Sequence, residues 1–272
     1  MKENDNIIQS RDIKEIFKDL SMAPNEVVNQ YRVAISPISD ALNAIKESFA
    51  SLSIPELKLP PFPKLSGFDW DRFFEEFEEE CKSNAEYGWC LSAEMDIPDY
   101  RRIGSIADNQ EAKDSLFTEL FEANAYQLYE DEKNTIINES KTNGWHEFYK
   151  DCFHSLENDR LMVAIPSLMM AIEHELSNGN DTNLSGKPLV RSVKSSIEQE
   201  KEPGQFTIII ATSLFSLLEN GIFEKGITGP RSMLINRNRV LHGRDDPSKW
   251  TKTDAYRLIT IISALKMLQN YK

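Results

Sequence analysis

The stretch DRLMVAIPSLMMAIEHEL, residues 159–176, constrains the fold more than any other part of the chain. Leu161, Ile165, Leu168 and Ile172 recur at steps of four, three and four, the buried stripe of a helix packed inside a bundle. A half-buried strand would need strict alternation, and no segment of the 272-residue chain sustains it. Pro166 falls inside the stripe and is expected to kink the helix. Three further helices are expected by the same logic. One covers roughly residues 205–220 and is stopped by Gly221; one runs from near Pro230 to near Gly243. The last covers about residues 253–271, with Leu258, Ile259, Ile262, Leu265 and Leu268 on one face. NGNDTNLSGKP, residues 178–188, has the composition of a loop. Four helices with short connections predict a compact antiparallel bundle, so the expected fold class is all-α.

Upstream the pattern is also mostly helical. Residues 11–52 form a helical stretch opened by Pro24 and interrupted at Pro37. Pro55, Pro60, Pro61 and Pro63 then make residues 53–67 a connector, either extended and polyproline-like or a structured surface crossover. In DWDRFFEEFEEEC, residues 69–81, Trp70, Phe73, Phe74 and Phe77 lie at helical spacing, and the run of residues 75–80 reads as a solvated acidic face. EYGWCLSAEMDIPDY, residues 86–100, looks irregular. Asp108 can cap a long helix reaching about Ser140, lined by Phe117, Leu120, Phe121, Leu128 and Ile136. Two regions are therefore expected: residues 1–143, helical and acidic, and residues 144–272, the bundle.

Composition narrows the function. Cys81, Cys90 and Cys152 stand in no metal-ligand spacing, and with four scattered histidines no zinc site is legible. Sparse, odd cysteines fit a reduced compartment. The polar start, MKENDNIIQS, lacks the basic stretch and apolar core of a signal peptide, and the apolar runs fall short of the roughly 20 residues of a membrane helix, so a soluble, cytoplasmic protein is expected. The net charge of −13 is unevenly spread: residues 228–272 hold nine Lys and Arg against three Asp, and the remainder 22 basic against 41 acidic residues. The basic end either offers a local phosphate-binding surface or simply carries solvated charge.

The chemistry-bearing stretch is RSMLINRNRVLHG, residues 231–243. Met233, Leu234, Val240 and Leu241 are expected to face the core, which places Arg237 inside an apolar stripe. A guanidinium there needs a partner. Asn238 and His242 are four apart and share a helix face; Arg237 and His242, five apart, could converge on one phosphate. Such residues suit RNA cleavage, in which the 2′-hydroxyl attacks its own phosphorus and no metal or other cofactor is required. Histidine exchanges protons near neutral pH, and arginine clamps the developing phosphate charge. At the end of its helix, His242 suits a proton donor or phosphate clamp better than a base. One histidine cannot readily be both acid and base, so a homodimer would supply a second pair. The plain alternative is structural: His242 caps a helix, and Arg237 forms an interhelical salt bridge.

NRNRVLHGRDD, residues 236–246, resembles the signature of the HEPN (higher eukaryotes and prokaryotes nucleotide-binding) ribonucleases: Arg, a polar residue, three more, then His. Gly243 and Arg244 resemble the residues just after that histidine in many bacterial members. Residues 160–176, with Ala164, Ile165 and Pro166, resemble their first bundle helix, and Gly88–Trp89 resembles an upstream Gly-Trp element. The resemblance covers residues 144–272 well and the rest faintly. It implies an all-α HEPN bundle, dimerisation through the motif helices and metal-independent RNA endonuclease activity, commonly in toxins or antiviral defence. Arg237 and His242 would be catalytic and Asn238 would orient them; Arg239 and Arg244, by charge and position, would contact RNA. A competing expectation is a non-catalytic dimerisation module whose acidic N-terminal half binds a basic protein partner; in the enzyme, that acidic half could instead restrain activity by covering the basic helices. A nucleotide sensor is weaker, since no Gly-rich phosphate loop is present.

Overall fold

The stripe at residues 161–172 is realised in the computed structural model as a helix, Leu161–Ser177, that buries Ile165, Leu168 and Ile172. The structure describes residues 69–140, 144–178, 183–198, 204–224 and 233–269. The chain parts into two units, Met1–Phe73 and Phe74–Lys272. The expectations for residues 11–52 and 53–67 lie outside the described residues, and the expected boundary at residue 144 falls inside the second unit.

The fold is all-α, with no strand among the described residues. In order the helices are α1 (Trp70–Glu86), α2 (Ile97–Ile106), α3 (Gln110–Glu139), α4 (Trp145–Glu157), α5 (Leu161–Ser177), α6 (Gly186–Glu198), α7 (Gln205–Leu217), α8 (Arg237–Leu241) and α9 (Lys252–Gln269). A π turn, Leu218–Ile222, extends α7, and a 3-10 turn, Pro247–Lys249, precedes α9. α9 packs chiefly on α5 and α3, and α4 and α6 close over the sides of α5.

Several expectations are corrected. Asn109 caps α3, because its side chain accepts from the Ala112 N–H at 2.9 Å; Asp108 stands one residue too early. α3 is not one continuous helix: Asn124, Ala125 and Tyr126 take left-handed φ of 50°, 58° and 65°, which no glycine or proline announces. The break lets Phe121 and Tyr129, from its two halves, both meet the Tyr256 ring of α9. The stretch expected to be irregular, residues 86–100, is so from residue 87 to 96, and α2 begins inside its end with Pro98 in the first turn. α4 and α6 enlarge the four-helix expectation, and residues 186–188, expected in a loop, begin α6. Gly221 does not stop α7 but lies inside the π turn. Of the acidic run on α1, Glu76 and Glu80 are not simply solvated: they hold Arg101 of α2. By length and composition Gln205–Ile222 would reach across a membrane, contrary to the expectation from the short apolar runs; 61% of it is buried inside the fold.

α9 is buried on nearly every side rather than on one face. Its polar residues are accommodated by partners. Arg257 pairs with Asp114 and, at 3.0 Å, with Asp254; Lys266 pairs with Glu175 at 3.1 Å. Thr260 donates to the Arg257 carbonyl, and Ser263 accepts from the Ala93 N–H. Beside Ser263 lies Glu132 of α3, fully buried; its Oε1 accepts from the Glu94 N–H at 3.2 Å. Burial pushes the Glu132 carboxyl up to about 7, with the Ser263 and Ser92 hydroxyls pulling the other way.

Candidate functional site

Asn236 decides where the motif becomes helical. Its backbone is extended, and its Oδ1 accepts from the N–H groups of Asn238 and Arg239 at 2.9 and 3.1 Å, as an N-cap should. Its Nδ2 donates to the carbonyls of Gly221 and Glu224, tying the motif to the end of the π turn. α8 therefore starts at Arg237, not near Pro230, and Gly243, at φ +63°, follows its end. The expected core pattern shifts with it. Ile235 and Val240 are buried, whereas Met233 and Leu241 are exposed.

Leu234 is seated between two glycines. A Cβ on Gly88 would lie 2.6 Å from its Cδ2, and a Cβ on Gly221 would lie 3.1 Å from its Cδ1. That same Cβ would lie 2.9 Å from the Arg257 side chain, and Gly88 takes φ +92°. Trp89, fully buried, donates its indole N–H to Asp114 and stacks on Phe117. The Gly-Trp pair is thus a support beneath the residues that lead into the motif.

Arg237 reaches across to α5. Its Nε donates to Glu173 Oε2 at 3.1 Å, its Nη2 donates to the same oxygen, and its Nη1 donates to Asn238 Oδ1 at 3.2 Å. The second oxygen of Glu173 accepts from the Gly186 N–H at the start of α6. Asn238 Nδ2 donates to the Glu224 carbonyl, which fixes the amide for Arg237. The structure therefore joins Arg237 and Asn238 through a direct hydrogen bond. His242 sits one residue past α8 with an exposed ring, its N–H donating to the Asn238 carbonyl. No hydrogen bond links that ring to Arg237 or Asn238. Both structural alternatives are realised, since Arg237 is in an interhelical salt bridge and His242 occupies a helix end. Arg239 is half-buried, its carbonyl accepting from the N–H groups of Arg244 and Asp245; Arg244 is exposed.

Sequence reasoning missed Glu173 and Asn236. The first was reachable in part. A guanidinium in an apolar stripe demands a carboxylate, and apolar α5 holds only Glu173 and Glu175. Nothing in the sequence says which one turns toward Arg237; Glu175 is engaged by Lys266 and Tyr149 instead.

The local positive charge is smaller than the residue count suggests. Arg237, Lys252, Arg257 and Lys266 are each ion-paired, with Glu173, Asp159, Asp114 and Glu175 among their partners. An open groove of about 610 Å³ lies at the break in α3, lined by Asp114, Thr118, Glu119, Glu122 and Thr253, and its acidic lining is the wrong charge for phosphate. The three cysteines are buried, and burial pushes each thiol well up, so none presents a thiolate. No group of three or more His, Cys, Asp or Glu side chains among the described residues could hold a metal ion.

No family model, curated protein or solved structure matches the chain.

Proposed function

We propose that this chain is a metal-independent RNA endonuclease of the HEPN type, acting in the cytoplasm as a toxin or antiviral-defence effector. The observation that carries the reading is the Glu173–Arg237–Asn238 chain of hydrogen bonds, which fixes a guanidinium on the short helix that the exposed His242 ends. Arg237 would stabilise charge growing on the phosphate, Asn238 would orient it, and His242 would donate the proton to the leaving oxygen. Arg244, and Arg239 on its inner side, would add phosphate contacts.

A single exposed His242 leaves the base unsupplied, and a second copy would provide it. An apolar surface suits that partner. Met162, Val163 and Met170 lie on the outer side of α5, and Met233 and Leu241 flank Arg237; all five are exposed. The homodimer is proposed to form through this surface and the motif segment.

The test is cleavage of total cellular RNA by the purified chain in chelator, beside His242→Ala. Wild-type cleavage leaving cyclic-phosphate ends, reduced roughly 100- to 10,000-fold in the variant, is expected. Equal cleavage by both sinks the reading. One observation favours a second reading, a non-catalytic dimerisation or partner-binding module: Glu173 already neutralises Arg237. On that reading a dimer forms and RNA stays intact.

A further inference from the structure

The C-terminal end of α5 carries two different things on its two flanks. Glu173 holds Arg237. The next residue, His174, stacks on the Trp145 indole of α4, with ring centroids 3.6 Å apart and planes 7° apart. Successive helix positions point about 100° apart with a rise of about 1.5 Å, so the two features diverge around the helix at almost the same height. Met170, exposed, lies between them on the outer side. Phe148, one turn along α4, meets Trp145 edge-on at 4.8 Å.

This aromatic group is unlike those in the core. Trp89 and Trp250 are buried, and each donates its indole N–H to an aspartate. Trp145, Phe148 and His174 are each part-exposed. Among the described residues the Trp145 indole N–H has no acceptor. Desolvation lowers the proton affinity of His174, which favours the neutral ring in the stack. The nearby acid, Glu147, is exposed and offset by the Lys150 ammonium 3.0 Å away. Together these make a flat, largely uncharged aromatic ledge one residue along α5 from the carboxylate that holds the Arg237 guanidinium. Single-stranded RNA is bound by that combination, bases stacking on aromatic rings while cations hold phosphates.

We propose that Trp145 and His174 form a base-stacking subsite for single-stranded RNA, taking the base of a nucleotide that flanks the phosphate held at Arg237. The proposal rests on the RNA reading above. Every base has a π face, so the subsite would position the strand without selecting its sequence.

The full chain is titrated against a short fluorescent oligouridylate with 2′-O-methyl riboses, which binds but cannot be cleaved. Anisotropy is read for wild type, Trp145→Leu, Trp145→Phe and Arg237→Ala, each checked for its helical melt. Trp145→Leu is expected to weaken binding about 5- to 100-fold and Trp145→Phe to restore most of it. Unchanged binding by folded Trp145→Leu, with Arg237→Ala weakened, overturns the subsite and leaves the RNA reading standing. Absence of binding by every protein, wild type included, overturns both. Should Trp145→Leu fail to fold, indole fluorescence decides. Quenching by the oligonucleotide that disappears in Trp145→Phe supports the subsite, and quenching that persists there overturns it.

Discussion

α8 with its flanks and α9 lie in the same basic stretch of sequence, yet they use charge in opposite ways. In α9, Arg257 and Lys266 are buried against Asp114, Asp254 and Glu175, and their charge never reaches the surface. Around α8, His242 and Arg244 stand exposed, and Arg237 is only part-covered by Glu173. A count of cations along the chain treats the two alike. The fold separates them, because α9 is wrapped by α3 and α5 while α8 rests on α5 at the edge of the bundle.

The contrast can be broken or sharpened by substitution. Arg257→Leu should have the largest effect on stability, a loss of about 3–5 kcal/mol in urea unfolding, because it removes the buried guanidinium that offsets Asp254 and Asp114. A loss below about 1 kcal/mol would show that α9 does not depend on its pairs. Glu132→Gln comes next and depends on pH. The folded carboxyl keeps its proton up to about 7, against an ordinary value of 4.5, so its contribution is fully present below about 4.5 and lost as pH rises through about 7. The glutamine variant should match wild type near pH 4 and be more stable by up to about 3 kcal/mol near pH 8. Identical pH profiles would refute a buried, unpaired acid. Glu173→Gln should cost only about 1 kcal/mol, since the pair is part-exposed, yet alter RNA cleavage at least about tenfold by loosening Arg237. His242→Ala should fall within about 0.5 kcal/mol of wild type in stability while cutting cleavage roughly 100- to 10,000-fold, the inverse of Arg257→Leu.

The sequence made the all-α fold legible wherever apolar residues keep helical spacing. Leu161 through Ile172 placed α5, and Leu258 through Leu268 placed α9. It failed where local chemistry overrides periodicity. Asn236, a strong cap, starts α8 late and turns Met233 outward, although the apolar pattern ran through both. The left-handed turn at Asn124 left no trace because Asn, Ala and Tyr are ordinary helix residues there. The partner of Arg237 was invisible for another reason: Glu173 is 64 positions away, and pairing over that distance is a property of packing, not of spacing.

The seat of Leu234 has a consequence for how this chain can vary. Gly88 and Gly221 leave room for one side chain and no more, and that side chain stands three residues before Arg237. The placement of the motif thus depends on Gly88, whose φ of +92° and close neighbours resist any larger side chain, and on the tight fit at Gly221, while Arg244 beyond it stands exposed. Mutational drift held to folding alone should therefore rewrite Arg244 freely and leave Gly88 untouched. In a deep mutational scan selected on folding alone, the glycine would be among the least replaceable positions and the arginine among the most.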